Sequence, residues 1–130
     1  MLVQGMTLTL TTTVTEDKTA RFMKSGTLDV FATPAMIALM EETAYKTVQD
    51  ALDEGCGSVG TYLDVKHIAA TPLGMTVTCE AKLVEIDNRR LVFTVKAYDE
   101  AGLIGEGKHE RFIVQNEKFM ARTNAKASRG

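Results

Sequence analysis

At 130 residues, 45% hydrophobic and 25% charged, the chain is long enough to close one core and short for two domains. Its 15 Lys and Arg against 17 Asp and Glu leave a net charge of -2, which excludes nucleic acid as the main partner because phosphate binding needs a basic surface. No apolar run approaches a membrane span, the start at Met1 lacks the regions of a signal peptide, and Cys56 and Cys79 fit neither a disulfide framework nor zinc spacing, so a soluble cytoplasmic protein with free thiols and no membrane partner is expected.

Thr7 to Thr15, rich in Thr, Leu and Val, reads as a strand. Glu16 to Asp29 reads as irregular, with Ser25-Gly26 as a turn. Thr33-Pro34 starts a helix, Pro being preorganised for the first helical position and Thr33 suited to cap it. The helix runs from Ala35 to about Asp53, and Gly55 ends it. Alternation then predicts strands over Ser58–Ala70, Met75–Ile86, Leu91–Tyr98 and Leu103–Val114. The stretches Thr71-Pro72-Leu73-Gly74, Asp87-Asn88-Arg89 and Asp99–Gly102 separate them. Ala121–Gly130 reads as a flexible polar tail of a single domain spanning 1–130. The fold class is α+β, an antiparallel sheet of about five strands wrapped around one long helix. One helix cannot cover such a sheet, so a second subunit is expected on its remaining face or edge.

The helix carries the most informative residue. At about 100° per residue, Ile37, Met40, Ala44, Val48, Ala51 and Leu52 form one apolar stripe, and Glu41 falls inside it. Glu42 falls outside, with Lys46 four residues on for a surface pair. A carboxylate turned inward is costly unless it is paired or neutralised, and proteins keep one mostly where it has a task. Periodicity alone equally allows Glu41 to reach water at the stripe's margin or to pair with an arginine from a partner chain. His67 shares a strand face with Leu63, Val65 and Ala69, where a core or interface histidine is the ordinary reading. His109 shares its face with Gly105, Gly107 and Arg111 and reads as structural. For Thr33 the ordinary reading is a cap, although a hydroxyl at a positive helix start also suits a carbonyl oxygen or an attacking water.

Together these residues resemble a known family. Val30 to Glu42, with Ala32-Thr33-Pro34, Ile37 and Glu41-Glu42, resembles the helix start of the fluoroacetyl-CoA thioesterase-like proteins. Val59-Gly60-Thr61 through His67 and on to Pro72-Leu73-Gly74 resembles that family's second block. Gly102 to Arg111 is similar to its closing strand, and Arg89 to Phe93 fits its hairpin. The likeness spans roughly residues 14 to 120 and implies a hot-dog fold, an active site between two protomers, and hydrolysis of a short acyl-CoA thioester. It also implies a catalytic set of Thr33, Glu41 and His67, with Gly60 and Arg111 near the acyl group. Thr11 to Asp29 matches less well, and this region with its flank offers Phe22, Met23 and Phe31, of which Phe31 is taken as substrate-binding.

Thioester hydrolysis needs a nucleophile, a proton acceptor and a stabiliser for the oxyanion. Glu41 suits general base on water or direct nucleophile, His67 acid/base or orienting group, and Thr33 positioning of water or carboxylate. Backbone N–H groups near Gly60 or the helix start would polarise the carbonyl. No metal or separate cofactor is called for, CoA being part of the substrate; a homodimer or dimer of dimers is expected. The alternatives are a non-catalytic acyl-CoA binding protein, and a hydratase or dehydratase using an Asp–His pair. The second is disfavoured because Asp64 stands only three residues before His67.

Overall fold

Alternating apolar residues give five strands: β1 (Thr7–Thr13), β2 (Cys56–His67), β3 (Thr76–Asp87), β4 (Arg90–Asp99) and β5 (Gly102–Gln115). In the computed structural model, which describes residues 1–129, they form one antiparallel sheet in the order β1-β3-β4-β5-β2. Between β1 and β2 run a short helix α1 (Ala20–Met23) and the long helix α2 (Thr33–Gln49). Met36, Met40, Ala44 and Val48 of α2 pack on Val77, Cys79, Ala81 and Leu83 of β3 and on Leu91, Phe93, Val95 and Ala97 of β4, all fully buried. This is the hot-dog arrangement of a sheet around one helix. Both cysteines are free, and burial pushes the Cys79 thiol up to about 11.

Local chemistry moves several boundaries. Helix α2 stops at Gln49, short of Asp53, because Ala51 and Leu52 bond back three residues and the Gln49 amide donates to the Cys56 carbonyl at 2.9 Å. That bond turns the chain into β2 early. Strand β2 ends at His67, short of Ala70, since the amides of Ile68 and Ala69 both turn to the Ile104 carbonyl. Glu16–Asp29, read as irregular, contains a 3-10 turn over Glu16–Lys18 as well as α1. The segment read as a tail is helical to Ala125: α3 (Asn116–Ala125) is started by the Gln115 side chain, which accepts from the Lys118 amide at 2.8 Å, and buries none of its residues. Polar composition hid it, because a capped helix needs no apolar stripe to form.

Two features of the inner sheet face govern what α2 places there. The register of β2 against β5 slips between Gly60 and Tyr62, leaving Thr61 as an extra residue. A bulge of one residue reverses the alternation. Gly60 opposite Arg111 and His67 opposite Gly105 therefore share one face despite their opposite parity. Gly105 and Gly107 keep that face low. A Cβ on Gly105 would stand 2.5 Å from Met36 Sδ, and one on Gly107 would stand 2.5 Å from Val65 Cα and closer still to the Asp64 carbonyl. The chain's edges are β1 and β2. Along β2 the outer row of hydrogen-bonding groups is open, and Tyr62 and Leu63 are 48% and 39% exposed.

Gly107→Ala should cost about 1–3 kcal/mol, the usual penalty of overpacking, because backbone rather than a flexible side chain blocks the added methyl. A urea melt of the purified variant measures it. A midpoint equal to wild type would show that β2 and β5 have room there.

Candidate active site

Thr33 is the first residue of α2, and Ala32, not Thr33, is the cap, with no side-chain capping bond. The Thr33 hydroxyl is thereby released from the helix end and lies 2.8 Å from His67 Nδ1. Phe31 stands edge-on to the imidazole, with ring centroids 6.5 Å apart. The pair lines a pocket of about 280 Å³ whose walls include Phe31, Ala20, Ala69 and Ala70. His67 Nε2 is buried and has no hydrogen-bond partner among the described residues. Burial lowers the His67 pKa, opposed by the Ala69 backbone, so the ring is neutral at pH 7. A buried nitrogen left unmet costs free energy and calls for a partner from outside the chain.

Glu41 lies elsewhere. Thr43 and Thr47 are buried, their hydroxyls donating to the carbonyls of Leu39 and Thr43 at 2.6 and 2.7 Å. Threonines satisfied in this way count as apolar, and they draw the buried stripe away from Ile37, so Glu41 stands at its margin rather than within it. The Glu41 side chain is 40% exposed, with Oε2 3.7 Å from the Arg111 Nη1 atom of the same chain. Gly60 makes the room: a Cβ there would meet Glu41 Oε2 at 2.6 Å. Thr33 and Glu41 are eight residues apart on one helix, roughly 12 Å along its axis. The structure thus brings Thr33, His67 and Phe31 together, and brings Glu41, Gly60 and Arg111 together, as two groups on one chain.

Arg111 is buried, and every nitrogen of its guanidinium has a partner. Nε donates to Ser58 Oγ and Nη2 to the Ser58 carbonyl, both at 2.8 Å, while Nη1 donates to His109 Nε2 at 3.1 Å. Tyr45 lies 5.8 Å from the guanidinium carbon. His109 is fully buried and stacks on Phe93, and its Nδ1 faces the Tyr62 carbonyl at 2.9 Å. Those two partners assign the tautomer: Nδ1 carries the proton and Nε2 accepts from Arg111. Burial, chiefly, and the Arg111 charge lower the His109 pKa, against the raising effect of the Tyr62 carbonyl. Ser58 and Tyr45 are the members of this group that sequence reading missed, and His109, read as structural on the strand face of Arg111, is its buried partner. The available signal was His109 two residues from Arg111 on a strand face otherwise made of glycine.

The sign of the pH effect follows. Both histidines are held below 6.5, so beneath that pH the unfolded chain binds more protons than the folded one. Stability should fall as pH drops from 7 towards 5, above the range where the lowered carboxylates Asp99 and Glu110 titrate. His109→Gln, which can donate to Tyr62 and accept from Arg111, should flatten that slope in urea melts. An unchanged slope would remove His109 from the explanation.

A family model described as fluoroacetyl-CoA-specific thioesterase matches residues 14–117. A fluoroacetyl-CoA thioesterase of Streptantibioticus cattleyicolor is 43% identical over 102 residues, 78% of this chain and 73% of that protein. The solved fluoroacetyl-CoA thioesterase FlK superposes with a TM-score of 0.92 at 37% identity, over 97% of this chain and 98% of its own. A hypothetical protein of Thermus thermophilus, described as a thioesterase superfamily member, gives 0.91 at 31% identity, over 99% and 96%. The chain belongs to the fluoroacetyl-CoA-specific thioesterase family.

Proposed function

We propose that this thioesterase hydrolyses a small acyl-CoA thioester to free acid and CoA, at a site that two subunits complete. The observation that carries the reading is the Thr33–His67 pair at 2.8 Å in a small pocket, with His67 Nε2 buried and unmet. About 280 Å³ is near the lower end of ligand pockets, which favours a small acyl group. The fluoroacetyl substrate in the relatives' names agrees with that size.

In this reading the Thr33 hydroxyl donates to Nδ1, and Nε2–H meets the thioester oxygen as negative charge develops there. The amides at the start of α2 add positive potential. Glu41 takes the proton of the attacking water; the new C–O bond forms, the C–S bond breaks, and CoA leaves as thiolate. Arg111 and the gap at Gly60 orient the carboxylate. Phe31 walls the acyl group. Asp64, the residue a hydratase reading would use, is exposed and points to the opposite strand face from His67.

The separation of Glu41 from Thr33 and His67 supports completion across a dimer. Strand β2 is an open edge of 12 residues. An isologous pairing of two such edges runs antiparallel, and it brings Glu41 of each subunit towards the His67 end of the other.

Glu41→Gln should lower turnover by about 10²-fold or more, as expected for a lost general base. Single turnover in oxygen-18 water should leave Glu41 unlabelled; label in its carboxylate would make it the nucleophile instead. Mixed dimers of Glu41→Gln and His67→Gln subunits test the shared site. Each heterodimer would keep one intact pair, so random assembly should restore about one quarter of wild-type activity. Inactive mixtures would overturn the shared site, and near-normal Glu41→Gln would overturn the role of the carboxylate.

A further inference from the structure

An arginine that faces a carboxylate ordinarily closes on it as a forked pair, at about 2.7–2.9 Å. Arg111 and Glu41 stop short of that, with Nη1 3.7 Å from Oε2. No side chain of β2 stands between them. A Cβ on Gly60 would meet Glu41 Oε2 at 2.6 Å, His109 Cε1 at 3.2 Å and Arg111 Nη1 at 3.4 Å, so all three groups border the space that the glycine leaves open. The guanidinium is held back by the bonds on its other edges. Ser58 takes Nε and Nη2, and the same Nη1 that faces the carboxylate donates to His109 Nε2 at 3.1 Å. His109 is itself fixed, because Phe93 stacks on its ring and Nδ1–H is bonded to the Tyr62 carbonyl beside the bulge.

A carboxylate gripped by a guanidinium within hydrogen-bond reach loses proton affinity, and a weaker base takes a proton from water more slowly. At the distance kept here, Arg111 orients Glu41 through its charge without capturing it. We propose that His109 is a positioning residue for the hydrolysis: by accepting from Arg111 Nη1 it keeps the guanidinium on the sheet and leaves Glu41 free to act as base. This rests on the reading of Glu41 as base given above, and it gives a task to a histidine that does not line the Thr33–His67 pocket. No other group around the cluster can replace it. Tyr45, one turn beyond Glu41 on α2, has its ring centre 5.8 Å from the guanidinium carbon. Strand β2 supplies only Ser58 and backbone, and β4 supplies Phe93. Glu110, the next residue of β5, is taken by Arg90 and Lys108, and Glu42 of α2 by Lys46.

His109→Leu removes the acceptor while keeping an apolar group against Phe93. Arg111 should then close on Glu41, and the acid limb of the kcat profile for acetyl-CoA should move down by about one pH unit or more. Plateau kcat should fall about 3–10-fold, as expected for a weakened base. His109→Gln, which accepts from Arg111 and donates to Tyr62, should restore the limb and the plateau towards wild type. With Arg111→Gln already in place, His109→Leu should move the limb no further, because the effect runs through the guanidinium. Carbon-13 titration of the Glu41 carboxyl in the resting enzyme reads the same displacement without turnover. If Glu41→Gln kept near-normal activity, the reading of Glu41 as base would fail, and this titration would still decide whether His109 holds Arg111 off the carboxylate. Where His109→Leu does not fold, Ser58→Ala, which frees Arg111 Nε, takes its place, with a smaller displacement in the same direction expected. A carboxyl titration that stays at its wild-type position in the folded variant, or a limb that moves as far with Arg111→Gln in place, would overturn the role of His109.

Discussion

A guanidinium enclosed beneath a helix keeps its charge only if the chain supplies what water would have supplied, and the inner sheet face is organised around that requirement at Arg111. Ser58 meets two of its nitrogens and His109 a third, and the Glu41 carboxylate stands opposite at 3.7 Å. Burial lowers the Arg111 pKa and Glu41 raises it. His109 can accept from Arg111 only while neutral, and the Tyr62 carbonyl, by accepting the hydrogen bond from Nδ1–H, keeps the ring in the tautomer that does so. Removing one partner would leave a buried charge short of a bond, which costs more than the bond contributes. The position of Glu41 is thus set from below, by the sheet, as much as by its own helix.

The sheet accommodates this polar group because glycine occupies the neighbouring positions. Gly60 gives the carboxylate its place, and Gly105 lets Met36 of α2 settle against β5. Where β3 and β4 face the same helix, aliphatic residues and Phe93 fill the layer instead. One helix therefore rests on an apolar surface along half its footprint and bridges a polar hollow along the other half. The hollow is where the charged groups collect.

Much of this was legible from residue patterns. Five strands, one helix, the turns at Asp87–Arg89 and Asp99–Gly102, and an antiparallel sheet all follow from alternation and turn chemistry, with edges wrong by a few residues where side chains such as Gln49 cut an element short. Thr33, Glu41 and His67 stood out as polar groups in odd places. Their arrangement was less accessible. Thr43 and Thr47 look polar on paper and behave as apolar once bonded to their own helix, which shifted the inferred stripe. The capping role suggested for Thr33 fell to Ala32, because a residue already helical cannot cap. The bulge at Thr61 carries no mark in the residue order, so alternation alone does not show that Gly60 and His67 share a face. Helix α3 escaped notice because it has no buried side to announce it.

That bulge also divides β2 into two halves whose orientation is set independently. From Cys56 to Gly60 the strand supplies Arg111 with its anchors; from Leu63 to His67 it carries the imidazole that Thr33 touches. Loss of the single extra residue would turn one half over relative to the other, and gain of a second would do the same. Substitution along the strand is therefore tolerated in a way that a change of length is not: drift in composition can retune either half, whereas an insertion or deletion between Gly60 and Leu63 would dismantle both at once.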